Sequence, residues 1–151
     1  MIMLPKRCQL ALVAVLDIAL HARPDPVPLK QIAARHGLPP RHLEALLQTL
    51  VHAKLLKGQR GPKGGYSLAR ERRRISMGDI VRAASDLQTT EAEADGTAPS
   101  PLLETVIHPA LTAASTLFLD QLDQLSVAHL CETYETLNRN KAEQETVNFT
   151  I

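Results

Sequence analysis

The sequence predicts a mainly α-helical protein with one two-stranded β-hairpin and a long helix towards its C-terminal end. Aromatic residues make up only 3% of the 151 residues and tryptophan is absent, so the 44% of apolar residues are mostly aliphatic. An aliphatic core of this kind favours packed helices over a β-sandwich. Apolar residues recur at helical spacing along most of the chain, whereas a cluster of glycine and proline separates two short segments in its middle.

Basic and acidic residues are distributed unevenly along the chain. Residues 1–82 contain 15 basic residues (Lys and Arg) and five acidic ones (Asp and Glu). Residues 83–151 contain two basic and 11 acidic residues. The net charge of +1 therefore conceals a basic half joined to an acidic half. This asymmetry indicates an anionic partner for the basic half, and an ordinary solvated surface is the alternative interpretation.

An apolar segment predicts a buried first helix from about Pro5 to His21, ended by the RPDP sequence at residues 23–26. Lys6 and Arg7 before this apolar run resemble the start of a signal peptide. However, Asp17 interrupts the run, no small-residue cleavage site follows, and the run is too short to span a bilayer. We therefore expect a cytoplasmic protein that does not associate with membranes.

Two short helical patterns follow, at about Leu29–His36 and Pro40–Ala53. Gly37 between them can adopt the left-handed conformation that ends a helix, and Pro39 and Pro40 preset the start of the next one. This arrangement is typical of a helix-turn-helix, whose second helix presents its first turns to bases and phosphates. A plain helical hairpin is the alternative. The residues of this helix predicted to contact DNA are Arg41, His42 and Glu44.

Two predicted strands, at about Leu55–Arg60 and Tyr66–Ala69, flank the turn-forming sequence GPKGG. A β-hairpin after a recognition helix is a wing, and a basic, glycine-rich tip can lie in the minor groove or along phosphates. The sequence thus predicts a winged helix-turn-helix. Three arginines at residues 72–74 follow the wing, either as a further basic patch or as a solvated turn. The hairpin residues predicted to contact DNA are Lys57, Arg60, Lys63 and Tyr66.

The C-terminal half begins after a predicted helix at Met77–Ala84, which has Ser76 as its N-cap. Residues 87–101 are polar and acidic without apolar periodicity, which predicts a mobile linker. A long helix at about Leu102–Leu125 then carries an apolar band wide enough to contact both its own domain and a second chain. Pro109 should kink this helix or mark its true start. The predicted dimerisation residues are Leu103, Ile107, Leu111, Ala114, Leu117, Phe118 and Leu122.

The chain is predicted to end in a short helix, capped by Ser126 and ending near Leu137, and in a flexible tail. Four regions follow from these patterns. They are a winged helix-turn-helix DNA-binding domain at residues 1–86, the acidic linker at 87–101, the dimerisation helix with the final helix at 102–138, and the tail at 139–151.

Two cysteines, Cys8 and Cys131, are too few for a disulfide scaffold or a four-thiolate metal site. We expect both to be buried. A thiol-based redox sensor and a thiol redox enzyme are the alternatives, and the enzyme requires an exposed thiol of low pKa. The sequence contains no metal-ligand spacing, catalytic triad, phosphate-binding loop or paired carboxylates. We therefore expect no metal, no cofactor and no catalysis.

The wing sequence RGPKGGYSLAR at residues 60–70 resembles that of the IscR/NsrR/CymR-type regulators, the winged-helix family often called Rrf. The resemblance covers nearly the whole chain in order. It implies a transcription regulator, usually a repressor, that binds DNA as a symmetric dimer through its long helix. It also implies that Glu44 probes bases and that Arg60 acts from the wing. The further matching segments are 16–20 (LDIAL), 28–33 (PLKQIA), 43–44 (LE), 78–81 (GDIV) and 125–130 (LSVAHL).

The sequence departs from this family where its cluster-binding members carry three cysteines. Residues 84–106 contain none, and His108 alone cannot hold an iron–sulfur cluster. Gln9 and Leu10 also replace the usual Arg-Tyr pair near the N-terminus. We therefore expect a homodimer that binds double-stranded DNA without a cluster, and any small-molecule effector is unidentified. A winged helix adapted for protein–protein contacts is the alternative function.

Overall fold

A computed structural model describes residues 4–85 and 100–148 of the chain. In this part of the chain the fold is mainly helical with a two-stranded antiparallel sheet, which confirms the predicted fold class. The elements are α1 (Lys6–His21), α2 (Leu29–His36), α3 (Pro40–His52), β1 (Leu56–Gln59), β2 (Gly65–Leu68), a 3-10 turn (Arg72–Arg74), α4 (Met77–Ser85), a π-helical turn (Leu103–Ile107), α5 (His108–Asp123) and α6 (Val127–Asn148).

Helix α1 lies at the centre of the fold and is covered on most of its sides. It packs against α2, α3, α4, β2 and α6. A helix that is apolar nearly all round needs such cover, because only burial removes all of its apolar surface from water. The prediction of a buried first helix is therefore confirmed. Its completely buried side chains are Cys8, Ala11, Ala14, Val15 and Ile18.

One carboxylate, that of Asp17, is buried in this apolar helix. Arg35 of α2 donates two hydrogen bonds to it, at 2.8 and 2.7 Å, and His36 Nε2 lies 3.0 Å from Oδ1. Burial by itself would raise the pKa of Asp17. The hydrogen bonds from Arg35 and His36 outweigh that effect, so the pKa of Asp17 lies below its ordinary value. The charged pair therefore ties α2 to α1.

A tight turn joins α2 to α3. Gly37 adopts the left-handed conformation, with φ 60° and ψ 36°, and the Leu38 N–H donates to the Ala33 carbonyl at 3.0 Å. Pro40 begins α3, where a missing N–H costs nothing. The predicted helix-turn-helix is confirmed in these features. The buried face of α3 consists of Leu43, Leu46, Leu47 and Leu50.

The wing is an antiparallel hairpin in which Leu56 pairs with Leu68. Its second strand also bridges the segment before α2, since the backbone of Tyr66 exchanges hydrogen bonds of 2.9 and 2.8 Å with Val27. Gly65 permits this approach, because a Cβ at that position would collide with the Val27 carbonyl. Both strands lie within one residue of their predicted bounds.

A second group of contacts joins α4 to the turn between α5 and α6. Ser76 and Asp79 form a reciprocal capping box, with each backbone N–H 3.0 Å from the other side chain. Ser76 also forms a β-bridge with Ser126. Arg82 donates two hydrogen bonds of 2.7 Å to the carboxylate of Asp123. The end of α5 is therefore held directly against the helix that follows the wing.

The long helix changes its geometry before Pro109. Proline has no N–H to donate to the carbonyl four residues earlier, and its ring would clash with that carbonyl. A π-helical turn over Leu103–Ile107 removes this conflict, and the His108 N–H donates to the Leu103 carbonyl, five residues back. The regular α-helix then resumes at His108. Since the chain is already helical at Pro101, the predicted disturbance at Pro109 takes the form of a π-helical turn within the helix and not of a helix start.

The last helix is longer than predicted. An end near Leu137 and an irregular tail from Asn138 are wrong, because α6 continues to Asn148. Residues 139–147 (RNKAEQETV) are polar but contain neither glycine nor proline, and most of them are good helix formers. Extending a helix that has already started costs little, and α6 starts on a cap in which the His129 N–H donates to Ser126 Oγ at 3.2 Å.

The predicted acidic linker lies outside the described residues, except for residues 100 and 101, and Pro101 is already helical. Apart from the start of the tail, which α6 overruns, the predicted region boundaries therefore remain predictions. Among the helices of residues 4–85 and 100–148, none has both the length and the apolar character that spanning a membrane would require.

Removing the charge of Asp17 should destabilise the fold. We expect Asp17→Asn to lower the free energy of unfolding at pH 7 by about 3 kcal/mol, because it leaves the Arg35 charge without its carboxylate. Urea denaturation measures this difference. As a control, Glu71→Gln should have no measurable effect, because Glu71 pairs with Arg73 at 3.9 Å on the exposed surface.

The same variant has a defined pH dependence. Since folding lowers the pKa of Asp17, its contribution is present above the unfolded value of about 3.9 and is lost as the pH falls through the folded value. The stability difference between wild type and Asp17→Asn should therefore shrink below about pH 4. Equal stability of the two proteins at pH 7 would contradict the structural role of this pair.

Candidate nucleic-acid interface

Helix α3 presents one exposed face beside its buried leucines. The exposed residues Arg41, Glu44, Ala45 and Gln48 follow one another at spacings of three or one residue and so lie on the same side of the helix. His42 is exposed at the edge of this face. Nothing in the described part of the protein covers these side chains, so the first turns of α3 are available to a partner.

A cleft of about 670 Å³ separates this face from the wing. Glu44 and Gln48 line the cleft from α3, Arg60 and Tyr66 line it from the wing, and the start of α2 closes one end at residues 28–30. Three residues predicted separately, Glu44, Arg60 and Tyr66, therefore meet in one concave site. The site combines a carboxylate, an amide, a guanidinium and a phenol, all of which can hydrogen-bond to base edges.

Tyr66 joins the two walls of the cleft. Its hydroxyl accepts a hydrogen bond from Gln48 Nε2 at 3.4 Å. Burial raises the pKa of Tyr66, and the negative charge of Glu44 raises it further, whereas the bond from Gln48 acts in the opposite direction. The phenol therefore stays protonated at neutral pH and keeps a hydrogen to donate.

The two lysines of the wing lie outside this cleft. At the tip, the Gly64 N–H donates to the Gly61 carbonyl at 2.9 Å, which closes a turn with Lys63 among its central residues. Lys63 instead lines a different hollow, together with His21 of α1. Lys57 is exposed on β1. Neither lysine is placed beside Glu44.

Arg41 and His42 line a separate hollow on the flank next to α1, together with Arg7. Arg7 is held there by hydrogen bonds of 3.2 Å to Thr49 Oγ1 and to the Ala84 carbonyl. The predicted contact residues therefore fall into three groups, a wing-side group in the cleft, a basic group beside α1 and the two wing lysines outside the cleft.

Sequence reasoning missed two side chains of this region and one that positions it. Gln48 lies one helical turn after Glu44, and that spacing could have identified it. Arg7 gives no local signal in the sequence, because its partners Thr49 and Ala84 are distant in the chain. Asp17 was noted as an interruption of an apolar run, yet a charged residue in such a run usually indicates a buried partner.

A second surface extends along the π-helical turn and α5. Its large apolar side chains are strongly exposed, and Leu117 is 69% accessible. Leu122 is a correction to the predicted dimerisation set, because it is 8% accessible and belongs to the core of its own chain. It lies one turn further along the helix, where α5 meets α4. The predicted dimerisation residues that are exposed are Leu103, Ile107, Leu111, Ala114, Leu117 and Phe118.

Both cysteines are free and buried, as predicted. Burial raises the pKa of the Cys131 thiol, although the charge of Arg72 opposes this. The Cys8 sulfur lies 3.4 Å from Ser85 Oγ inside the core. Neither thiol has the exposure that a reactive cysteine requires, so the two thiol-based alternatives lose their support.

A family model described as "Rrf2: Iron-dependent Transcriptional regulator" matches residues 4–133. The chain belongs to the Rrf2 family. It is 30% identical over 128 residues to the HTH-type transcriptional regulator IscR of Vibrio campbellii, which covers 84% of this chain and 76% of that protein. The IscR of Vibrio cholerae is 41% identical over 76 residues, covering 50% of this chain and 44% of that protein. That second match thus spans less than half of the relative's length.

Solved structures of Rrf2-family regulators share the fold. The structure of T. potens IscR has 30% identity and a TM-score of 0.69, with 90% of each chain covered. The oxidised form of Staphylococcus aureus CymR has 27% identity and a TM-score of 0.61, covering 87% of this chain and 97% of that one. These relatives are transcription regulators rather than enzymes, so this Rrf2 member is a DNA-binding transcription regulator and not an enzyme.

The Rrf2 description implies iron, but the donor atoms of this chain do not fit an iron–sulfur cluster. A cluster needs about four protein ligands, mostly thiolates, in one place. This chain has two cysteines, and both are buried in the core, on α1 and α6. His108 lies exposed at the start of α5, 3.5 Å from Glu104. Within residues 4–85 and 100–148, no three His, Cys, Asp or Glu side chains converge to hold a metal.

We therefore expect a colourless protein whose DNA affinity does not depend on iron or oxygen. Anaerobic purification, followed by iron and sulfide assays and a visible spectrum, measures this directly. Operator affinity should be the same under air and under strict anaerobiosis. A brown protein with stoichiometric sulfide would show that the donor argument is wrong.

Proposed function

We propose that this Rrf2 member reads a specific DNA sequence, with its recognition helix α3 in the major groove and its wing beside it. The observation that carries this proposal is the cleft that brings Glu44 and Gln48 of α3 to Arg60 and Tyr66 of the wing. A concave, polar site bounded by an exposed helix face matches the way in which winged helices meet base edges.

The chemistry of the cleft suits bases better than phosphates. The Glu44 carboxylate would be repelled by phosphates, whereas it can accept a hydrogen bond from the N4 amino group of cytosine. Gln48 can pair with adenine through its amide, and Arg60 can donate from a planar guanidinium. We therefore assign base recognition to this wing-side group.

The basic residues outside the cleft suit the DNA backbone. Arg41 and His42 lie on the α1 side of α3, and Lys57 and Lys63 are exposed on the wing. Contacts of such residues with phosphates set the position and register of the protein without reading sequence. The acidic C-terminal half would then face away from the DNA.

We propose a second copy of the chain as the partner of α5. The π-helical turn and α5 expose a series of large apolar side chains along one continuous stretch of helix, and such contiguous exposed apolar surface marks an interaction site. A two-fold dimer places two recognition helices on half-sites one helical turn, about 34 Å, or a multiple of it apart. The operator would accordingly be palindromic.

Repression is the mode of action that we propose, because a dimer bound across its operator prevents access of other proteins to that DNA. The DNA partner also implies that the protein acts in the cytoplasm of a bacterial cell. A winged helix that binds another protein instead would show no salt-dependent binding to any operator, so the experiment below separates the two functions.

Substitutions in the wing should separate base contacts from phosphate contacts. Arg60→Ala should weaken operator binding by about 1–3 kcal/mol, a loss of roughly 5-fold to 150-fold, and should relax specificity. Lys63→Ala should weaken binding to all sequences about equally and reduce the slope of the salt dependence by about one.

Fluorescence anisotropy on operator and scrambled duplexes, at several salt concentrations, measures both effects. Lys141→Ala is the matched control, because Lys141 is a basic residue exposed far along α6. Unchanged operator affinity of Arg60→Ala would exclude the assignment of base reading to the wing.

The dimer predicts a specific failure of variants in α5. The double variant Leu117→Asp, Phe118→Asp places two charges on the exposed apolar surface and should give monomers, with a large loss of operator affinity. Multi-angle light scattering measures the oligomeric state, and circular dichroism checks that the helical content is retained. A wild-type monomer at micromolar concentration is the result that would refute the proposed dimer.

A further inference from the structure

A second cavity, of about 430 Å³, lies between the end of α1, the base of the wing, the 3-10 turn and the start of α6. It shares no lining residue with the cleft beside α3. Four arginines line it, one from the end of α1 and three from the segment that follows β2. They are Arg23, Arg70, Arg72 and Arg73.

The positive charge of these arginines is poorly neutralised. Among the described residues, the only ion pair to any of them is that of Arg73 with Glu71, which is 3.9 Å long and mostly exposed on both sides. Arg70 uses its Nε to donate to the Lys54 carbonyl at 3.2 Å, and its terminal nitrogens make no further hydrogen bond within the described part of the chain. Four guanidinium groups and one carboxylate, that of Glu71, among the lining residues leave a net positive charge, which an anion can neutralise.

Two of the arginines converge on one point from different elements. Burial raises the pKa of the Cys131 thiol, and the charges of Arg72 and, more weakly, of Arg23 act in the opposite direction. Arg23 follows α1, whereas Arg72 lies on the 3-10 turn. Their convergence is therefore a property of the tertiary structure and not of a single basic run.

The remaining lining of the cavity is mostly apolar, with one hydroxyl from Ser67 and one carboxylate from Glu71. Ala19 and Ala22 of α1, Leu68 of β2 and Ala128 of α6 contribute to it. The three alanines leave space beside the larger Ile18 and Leu68 side chains. A ligand can therefore direct anionic groups towards the arginines and a compact apolar part towards the alanines.

We propose that this cavity binds a small organic molecule with at least two anionic groups, either phosphates or carboxylates. Guanidinium groups recognise both through paired N–H donors, and several of them can hold a polyanion that a single one cannot. The cavity touches α1, the wing and α6 together, so a bound anion fixes the base of the wing relative to the C-terminal helices. Its use as an effector site rests on the proposed function, whereas anion binding itself does not.

Isothermal titration calorimetry of the full chain without DNA, at 150 mM salt, tests the site with two probes, inorganic pyrophosphate and citrate. We expect saturable binding of at least one probe, and the stronger of the two identifies phosphate or carboxylate as the preferred group. Arg23→Gln and Arg73→Gln should each weaken this binding at least 10-fold. Arg74→Gln is the matched control, because Arg74 belongs to the same 3-10 turn but does not line the cavity.

The following results support or overturn the proposal. A selective loss in Arg23→Gln and Arg73→Gln, with thermal stability retained, supports the site. The proposal is overturned if neither probe shows saturable binding up to a 10-fold molar excess at millimolar protein. It is also overturned if Arg74→Gln loses as much affinity for the probe as the other two variants, because that would indicate only a diffuse positive field. If neither probe binds and the two variants instead lose affinity for scrambled duplex DNA, the arginines contact phosphates of DNA and the proposal is wrong. Failure of operator binding by wild type would contradict the proposed function alone.

Discussion

The buried pair of Asp17 with Arg35 determines where the DNA-facing elements lie on the central helix. A buried carboxylate in an apolar helix is tolerated only if a partner neutralises its charge. Arg35 does so with two hydrogen bonds, and His36 adds a third contact. This pair sets the position of α2. The left-handed turn at Gly37 then sets the start of α3, and the strand pairing of Tyr66 with Val27 returns the wing to the beginning of α2. These contacts join α1, α2, α3 and the wing to one another, which explains how the two walls of the cleft keep their spacing.

A second connection links these elements to the C-terminal helices. The capping box of Ser76 and Asp79, the bridge from Ser76 to Ser126 and the pair of Arg82 with Asp123 all lie where α4 meets the end of α5. Gly78 permits the close packing, since a Cβ there would collide with the carboxylate of Asp123. The surface that we assign to dimerisation and the surface that we assign to DNA are therefore joined through packed and hydrogen-bonded groups. The cavity with four arginines lies beside this junction, on the side of the wing.

This chain shares the fold of its Rrf2 relatives, but a shared fold does not imply the same regulatory signal. The architecture extends over most of the chain, yet the thiols that an iron–sulfur cluster needs are missing, and the two that exist are part of the core. A fold that positions a recognition helix and a wing does not dictate what regulates it. In this member we propose that the poorly neutralised arginines beside the wing bind an anion rather than a metal.

Local sequence patterns determined much of this protein. The order of the helices, the turn at Gly37, the capping box at Ser76 and the wing follow from spacings of a few residues, because backbone hydrogen bonds and caps depend on near neighbours. The contact residues Glu44, Arg60 and Tyr66 could be proposed in the same way, with support from the family resemblance. Only the tertiary structure decided what depends on distant residues. It brought Arg35 to Asp17 and buried Leu122 in the core of its own chain. It also placed Lys63 away from Glu44, and it gathered Arg23 with the arginines that follow the wing. Such contacts join residues far apart in the chain, and no periodicity records them. The end of α6 was misjudged for the opposite reason, since a polar segment without an apolar stripe gives no pattern, although its helix propensity was enough to continue a helix already begun.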